Sequence, residues 1–244
     1  MNALRNWALG FLGTAAAVAV SYFWLDRPIA LYVHSRVDAA DSFERLTLIP
    51  DILAAALIVA FVGLAFYALS GHRLSRFQTV LVICGMSLAV AVAAKDFLKG
   101  AFGRPWPETW VDNNPSFIKN GAYGFHPFNG WSAFASFPSG HSTMACTVMT
   151  VLWICYPRFR LLYALCMLAV AVGLVGANFH FLGDVIAGSY LGISAGWVGV
   201  AVWEMGQRQV RGQAALSPGP EKADTGLAKA AVAAKAAEPA IKGS

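Results

Sequence analysis

The sequence predicts an all-α fold, a polytopic membrane bundle of six transmembrane helices, and three observations carry that prediction. Of its 244 residues 57% are hydrophobic and only 13% charged, where soluble domains carry about 25% charged residues. Six apolar runs approach the roughly 20 residues that span a bilayer as helix. The arginines also sort to one side of those runs.

Taken in order, the runs are Trp7–Leu25, Ile52–Leu69, Phe77–Leu98, Thr143–Tyr156, Leu161–Phe179 and Val185–Trp203. Trp7–Leu25 follows Arg5 and is long for a signal h-region, so it reads as a signal-anchor that stays as the first helix. Leu25–Asp51 mixes charges with Ile29, Leu31, Val33, Phe43 and Leu46; it reads either as an amphipathic segment in the interface or as a solvated loop. Ile52–Leu69 and Phe77–Leu98 are joined by the short loop Ser70–Arg76, and Pro157–Arg160 joins the fourth and fifth runs, so each pair is antiparallel. Thr143–Tyr156 is the shortest run and needs part of its polar start to complete a span. Gly188, Gly192 and Gly196 recur every fourth residue on the last helix. Such a stripe permits close helix contact, within the bundle or at the seam of a homo-oligomer.

Arg5, Arg73, Arg76, Arg158, Arg160, Arg208 and Arg211 flank helix ends on one side. Arg27, Arg36 and Arg45 on the other are diluted by Asp26, Asp38, Asp41, Glu44 and Asp51. The positive-inside rule then makes both termini cytoplasmic, in a multi-pass protein of the cell (inner) membrane. The net charge of +5 is thus a topology signal and gives no case for nucleic acid. Cys84, Cys146, Cys155 and Cys166 all fall in apolar runs and read as packing residues, not as a disulfide framework. Residues 1–211 form the membrane domain. From Gly212 to Ser244 the composition turns to Ala, Lys, Pro, Gly and Glu without aromatics, which reads as a disordered cytoplasmic tail.

The outer segment Gly100–Gly140 holds Trp106, Trp110, Trp131, Phe117, Phe125, Phe128, Phe134 and Phe137. Aromatics at this density beside helix ends mark the headgroup level, and loops this long are more often functional than idle.

Three elements at that outer end bear chemistry. In Phe137-Pro138-Ser139-Gly140-His141-Ser142, Ser139 can cap the following helix and Gly140 lets a ligand approach the backbone. The free N–H groups of the first turn favour an anion there. A Ser-Gly turn that merely caps a helix accounts for the same residues. In His180-Phe-Leu-Gly-Asp184, a carboxylate one turn away can fix the imidazole tautomer and leave the other nitrogen nucleophilic. With His141 the pair would equally supply three metal ligands, a reading that no HExxH pattern or further His/Cys cluster supports. Lys95, Lys99 and Arg104 can snorkel to the interface or together clamp a phosphate. From His141 one inward and one outward helix, about 40 residues, lead back to His180, so all three elements surface on one side.

Lys99-Gly-Ala-Phe-Gly-Arg104-Pro105, then Pro138-Ser139-Gly140-His141, then His180-x3-Asp184, together resemble the type-2 phosphatidic acid phosphatase superfamily, from about Ile52 to Trp203. The resemblance implies a lipid phosphatase that works without metal or other cofactor, with Gly100–Gly140 as its active-site loop. In that family pattern His180 attacks phosphorus and forms a phosphohistidine, Asp184 orients it, and His141 protonates the leaving alkoxide. Lys99, Arg104, Ser139 and Gly140 would hold the phosphate oxygens. Two motif positions depart. Counting six residues on from Lys99 reaches Trp106-Pro107 where the family has Arg-Pro, and Gly173 and Leu174 stand where it has Ser-Arg. Arg104, Lys95 or Asn178 are the candidates to donate in their place. The same residues leave two other functions open: a lipid phosphotransferase using the same histidine, and a non-catalytic lipid-binding or transport protein.

Overall fold

The computed structural model describes residues 2–37, 40–110, 113–129 and 133–216. Of the tail expected from Gly212, residues 212–216 continue the last helix and the rest lies outside the described residues, as do Asp38 and Trp131. The chain divides into two compact units, Met1–Ala201 and Val202–Ser244. Of the second, only the helical stretch 202–216 is described.

The first unit is helical and contains no β-strand among the described residues, only isolated bridges. Helix α1 (Asn2–Val20) passes through a π-helical turn, Ser21–Leu25, directly into α2 (Asp26–Arg36). Helix α3 then occupies Ala40–Leu69. The stretch expected as an interfacial segment or loop is therefore largely helix. Ala30 and Val33, three residues apart, turn one face of α2 inward, where they are 2% and 9% exposed. Helix α3 runs through the buried Pro50, so the proline does not mark the helix start.

Helix α4 (Arg76–Phe102) begins on a capping box in which Ser75 and Gln78 bond each other's backbone N–H. It ends at Gly103, whose φ of 56° is left-handed and whose Cβ, were there one, would strike the carbonyl oxygen of His126. After the one-turn α5 (Phe117–Asn120) come α6 (Gly140–Cys155), α7 (Arg160–Gly176) and α8 (Leu182–Leu216). Helix α6 packs against α4 and α7, and α3 against α4 and α7.

Among the described residues, five helical stretches are long and apolar enough to cross a membrane: Leu4–Arg36, Arg45–Leu69, Arg76–Phe102, Pro157–Gly176 and Leu182–Gln213. At 16 residues, α6 reaches about 24 Å, short of a hydrocarbon core of about 30 Å. Of the six expected spans, the fourth therefore falls short of that length among the described residues.

The glycine stripe of α8 faces α6 of the same chain. A Cβ on Gly188, Gly192 or Gly196 would meet the carbonyl oxygens of Ser139, Thr143 and Thr147, one per helical turn. Thr143 Oγ1 donates to Gly188 O at 3.2 Å across the same seam. This close approach fixes the first turn of α6 beside the first turn of α8. Arg76 donates to Cys155 O at 3.0 Å, so the start of α4 and the end of α6 share one end of the bundle. The motif residues gather at the other.

Candidate active site

Two turns and one loop deliver the site. Phe179 and His180 both donate their backbone N–H to Leu174 O, at 2.9 and 3.2 Å, which folds the end of α7 back on itself. Asn178 sits there at φ 56°, a left-handed position that asparagine tolerates. Leu182 then begins α8, and Asp184 lies in its first turn. On the other side, Gly103 turns the chain so that Arg104 lies alongside Ala135, and Ser136 N donates to Arg104 O at 3.0 Å. Ser139 N donates to Asp184 O at 3.0 Å, while the Ser139 hydroxyl caps α6. The Phe137–Pro138 peptide bond is cis.

The structure brings His180, Asp184 and His141 together. His180 is 2% exposed, and its Nδ1 lies 3.3 Å from Ser136 Oγ and 3.5 Å from Asp184 Oδ2. Ser136 Oγ donates to Asp184 Oδ2 at 2.5 Å, so the hydroxyl oxygen is left to accept the Nδ1–H of His180. This network assigns the proton to Nδ1 and the lone pair to Nε2. Burial pushes the His180 imidazole down to about 4, against the opposing pull of Asp184, so the ring is neutral at ordinary pH. The rings of His141 and His180 stand 6.5 Å apart. His141, partly exposed, places Nε2 3.2 Å from Asp51 Oδ2.

Arg104 has partners other than those expected of a phosphate ligand. It is wholly buried, with Nη1 donating to Asp184 Oδ1 at 2.5 Å and Nη2 to Asp26 Oδ2 at 2.6 Å. Phe181 lies over the guanidinium at 4.4 Å. Burial opposes its charge, yet Asp184 and Asp26 outweigh burial and hold the group protonated. Asp26 is itself fastened by Ser21 Oγ at 2.6 Å and by Gly183 N at 2.9 Å. Arg104 thus grips the carboxylate that faces His180 rather than presenting both Nη groups to a ligand.

Asn178 is likewise engaged elsewhere. Its Nδ2 donates to Glu108 Oε1 at 3.0 Å and to Ala30 O at 3.2 Å, and Glu108 also meets His34 Nδ1 at 2.7 Å. The structure does not bring it into the histidine cluster. Lys99 is in the cluster: its Nζ donates to Ala135 O at 2.6 Å and lies 5.4 Å from the Trp106 ring. Lys95 pairs with Asp96, and its stem rests against Gly140. Ser139 and Gly140 open α6, whose first-turn N–H groups lack intrahelical acceptors.

The two departing motif positions are filled rather than vacant. Trp106 tilts over His180 with ring centroids 5.0 Å apart. Leu174 is fully buried in an apolar cluster with Ala145, Val170 and Val185. A Cβ on Gly173 would come within 2.8 Å of Leu46 Cβ, so that position serves α3 packing.

Sequence reasoning missed Ser136, Asp26, Asp51 and Trp106 as members of the site. A lone acid such as Asp26 at the end of an apolar run demands a partner, and that signal was available. Several loop aromatics also turn inward rather than to a headgroup layer. Phe117, Tyr123 and Phe181 pack together, as do Phe102, Phe125 and Phe137, while Trp110 and Phe128 stay exposed. Beside the site, an apolar cavity of about 700 Å³ lies between α1, α4 and α8, bounded by Phe11, Tyr22, Leu98, Phe137 and Tyr190 among others.

A family model described as the PAP2 superfamily matches residues 80–208, more than half of the chain. A lipid A 1-phosphatase of Rhizobium etli is 30% identical over 201 residues, covering 79% of this chain and 82% of the relative. A lipid A 1-phosphatase of Rhizobium johnstonii is 31% identical over 197 residues, covering 77% of each. Among solved structures, the crystal structure of a transmembrane PAP2 type phosphatidylglycerolphosphate phosphatase from Bacillus subtilis covers 84% of this chain and 98% of its own. Its TM-score is 0.49 at 17% identity.

Proposed function

Because the chain belongs to the PAP2 superfamily, we propose that it is an integral membrane phosphatase that hydrolyses a lipid phosphate through a phosphohistidine on His180. The observation that carries this reading is the orientation of that ring. Ser136 and Asp184 occupy the Nδ1 side, which leaves Nε2 as a neutral nucleophile. In the first half-reaction Nε2 bonds to phosphorus, the P–O bond to the lipid breaks, and His141 gives its proton to the departing oxygen. In the second, His141 takes a proton from water, whose oxygen attacks phosphorus and releases inorganic phosphate and free His180. Lys99 and the first turn of α6 are the groups placed to meet charge on the phosphoryl oxygens.

Among phosphomonoesters and pyrophosphates of membrane lipids, the two Rhizobium relatives favour the 1-phosphate of a lipid of the lipid A type as substrate. The apolar cavity beside the site supports a substrate with acyl chains. The clustering of helix-flanking arginines away from the site supports an extracytoplasmic active site with cytoplasmic termini. A reporter fused beyond Leu216 that worked only outside the cytoplasm would overturn that sidedness.

The test is phosphate release by the detergent-solubilised protein, in EDTA, from a panel of lipid phosphates, beside a His180→Ala control. Release in EDTA that vanishes in the variant supports the metal-free histidine mechanism. Persistent release from His180→Ala overturns it. A new phosphorylated lipid with little free phosphate would make the protein a transferase instead.

A further inference from the structure

We propose that Asp51 is the positioning residue of the general acid, holding the His141 ring so that its free nitrogen meets the leaving oxygen. The inference rests on the histidine mechanism proposed above. It adds a residue of α3, a helix that lies outside the 80–208 stretch matched by the family model.

The site holds two imidazoles, and each has one nitrogen against a carboxylate: His180 Nδ1 beside Asp184 Oδ2 and His141 Nε2 beside Asp51 Oδ2. A carboxylate on one ring nitrogen fixes ring rotation and the proton on that nitrogen, and leaves the opposite nitrogen for chemistry. With Nε2–H donating to Asp51, Nδ1–H is the proton His141 can deliver. The ring centroids are 6.5 Å apart, so the two imidazoles are neighbours in one site.

The two pairs come from opposite directions in the chain. Asp184 follows His180 by four residues on one turn, whereas Asp51 is 90 residues from His141. Asp51 follows Pro50, whose buried ring sits inside α3, and that burial fixes where the carboxylate emerges. His141 is in the first turn of α6, held by the Ser139 cap and by Gly188 beneath it. Both side chains of the pair are reachable by water, His141 at 29% and Asp51 at 53% exposed. That suits an acid which must also take a proton from water in the second half-reaction.

The distinguishing readout is dependence on the leaving group. A poor leaving group, an alkoxide, needs its proton as the P–O bond breaks; a nitrophenolate does not. Asp51→Asn is therefore assayed for kcat/KM on dodecyl phosphate and on p-nitrophenyl phosphate in the same micelles, beside Asp51→Glu and His180→Ala. General acids contribute roughly 10²–10⁴-fold, and losing their orientation forfeits a part of that. The ratio of dodecyl to nitrophenyl kcat/KM is expected to fall about tenfold or more in Asp51→Asn and to recover in Asp51→Glu. An equal loss on both substrates, or no loss on either, overturns the proposal and leaves the contact a surface ion pair. His180→Ala that still turns over both substrates would remove the underlying mechanism, a result separate from either behaviour of Asp51→Asn. Asp51→Ser serves as a second variant, and the same ratio decides.

Discussion

The two carboxylate–histidine pairs of the site differ in kind. On the His180 side, Asp184, Arg104, Asp26 and Ser136 are at most 1% exposed and joined by hydrogen bonds of 2.5–2.6 Å. On the His141 side, Asp51 and Lys95 are partly exposed; one meets its partner at 3.2 Å, and the other pairs with a neighbouring surface acid. The buried arm is preorganised: its groups are already locked to one another, as the nucleophile of the proposed mechanism requires. In the proposed mechanism the open arm exchanges protons with water and admits a headgroup, which its hydrated groups allow. A site so divided separates stability from turnover, and substitutions can measure the division.

The largest effect belongs to Arg104→Ala. It leaves Asp26 and Asp184 buried with no intervening cation, and breaking a buried pair costs roughly 3–5 kcal/mol. Thermal unfolding in detergent should shift strongly downward, and phosphate release should fall by more than a hundredfold. Arg104→Lys should rescue little, because one ammonium cannot bridge two carboxylates in the way a guanidinium fork does. A stable, active Arg104→Ala would return the residue to an exchangeable place in the site.

Next comes acid pH. Burial lowers the His180 pKa from an ordinary 6.5 to about 4. The unfolded chain therefore binds a proton that the folded one refuses between those two values, and stability is lost as pH falls through the window. The loss is roughly 3 kcal/mol by the lower end. Nitrogen NMR of histidine-labelled protein should show His180 neutral at pH 5. A ring half-protonated near 6.5 would mean that the pocket is wet.

The two arms also differ in how far they can be read from the sequence. His141, His180 and Asp184 lie in short motifs whose spacing sets them on one turn or at one helix start, so local periodicity finds them. The buried arm's depth is not legible, since Arg104 meets Asp184 and Asp26 across 80 and 78 residues. Charge beside a motif lysine points to a phosphate clamp for Arg104, whereas the fold pairs it with two buried carboxylates. Helix positions follow from hydropathy. The helical character of Asp26–Arg36 and of the start of α3 does not, because charges that pair inside the bundle look like solvated ones in sequence. The glycine stripe is legible as close packing, and only the folded chain shows against which helix.

A smaller effect is expected of Asp26→Asn. The amide keeps an acceptor for Ser21 and Gly183 but gives up the charge opposite Arg104. Asp184 retains its guanidinium, so His180 stays oriented and only the tightness of the arm declines. About a tenfold drop in kcat with KM unchanged is expected, since no substrate atom reaches Asp26; a tenfold step corresponds to roughly 1.4 kcal/mol. A rise in KM alone would place Asp26 in substrate binding and blur the two arms.

The smallest effect tests the open arm at Lys95. Its ammonium pairs with Asp96, whose side chain is 48% exposed, and its methylenes lie on Gly140. To meet a phosphate it must leave that acid, and a pair so close to water is worth roughly 1 kcal/mol at most. The exchange of one anion for another is then nearly even. Lys95→Ala should raise KM no more than a few-fold, leave kcat alone, and show its effect chiefly at low salt, where surface charge is least screened. Lys99 offers the internal contrast, being held at Ala135 O beside the Trp106 ring, with no carboxylate in hydrogen-bond range among the described residues. If Lys95→Ala instead abolished turnover while Lys99→Ala did not, the phosphate would have to sit nearer the open end of α6. The preorganised half of the site would then stop at His180.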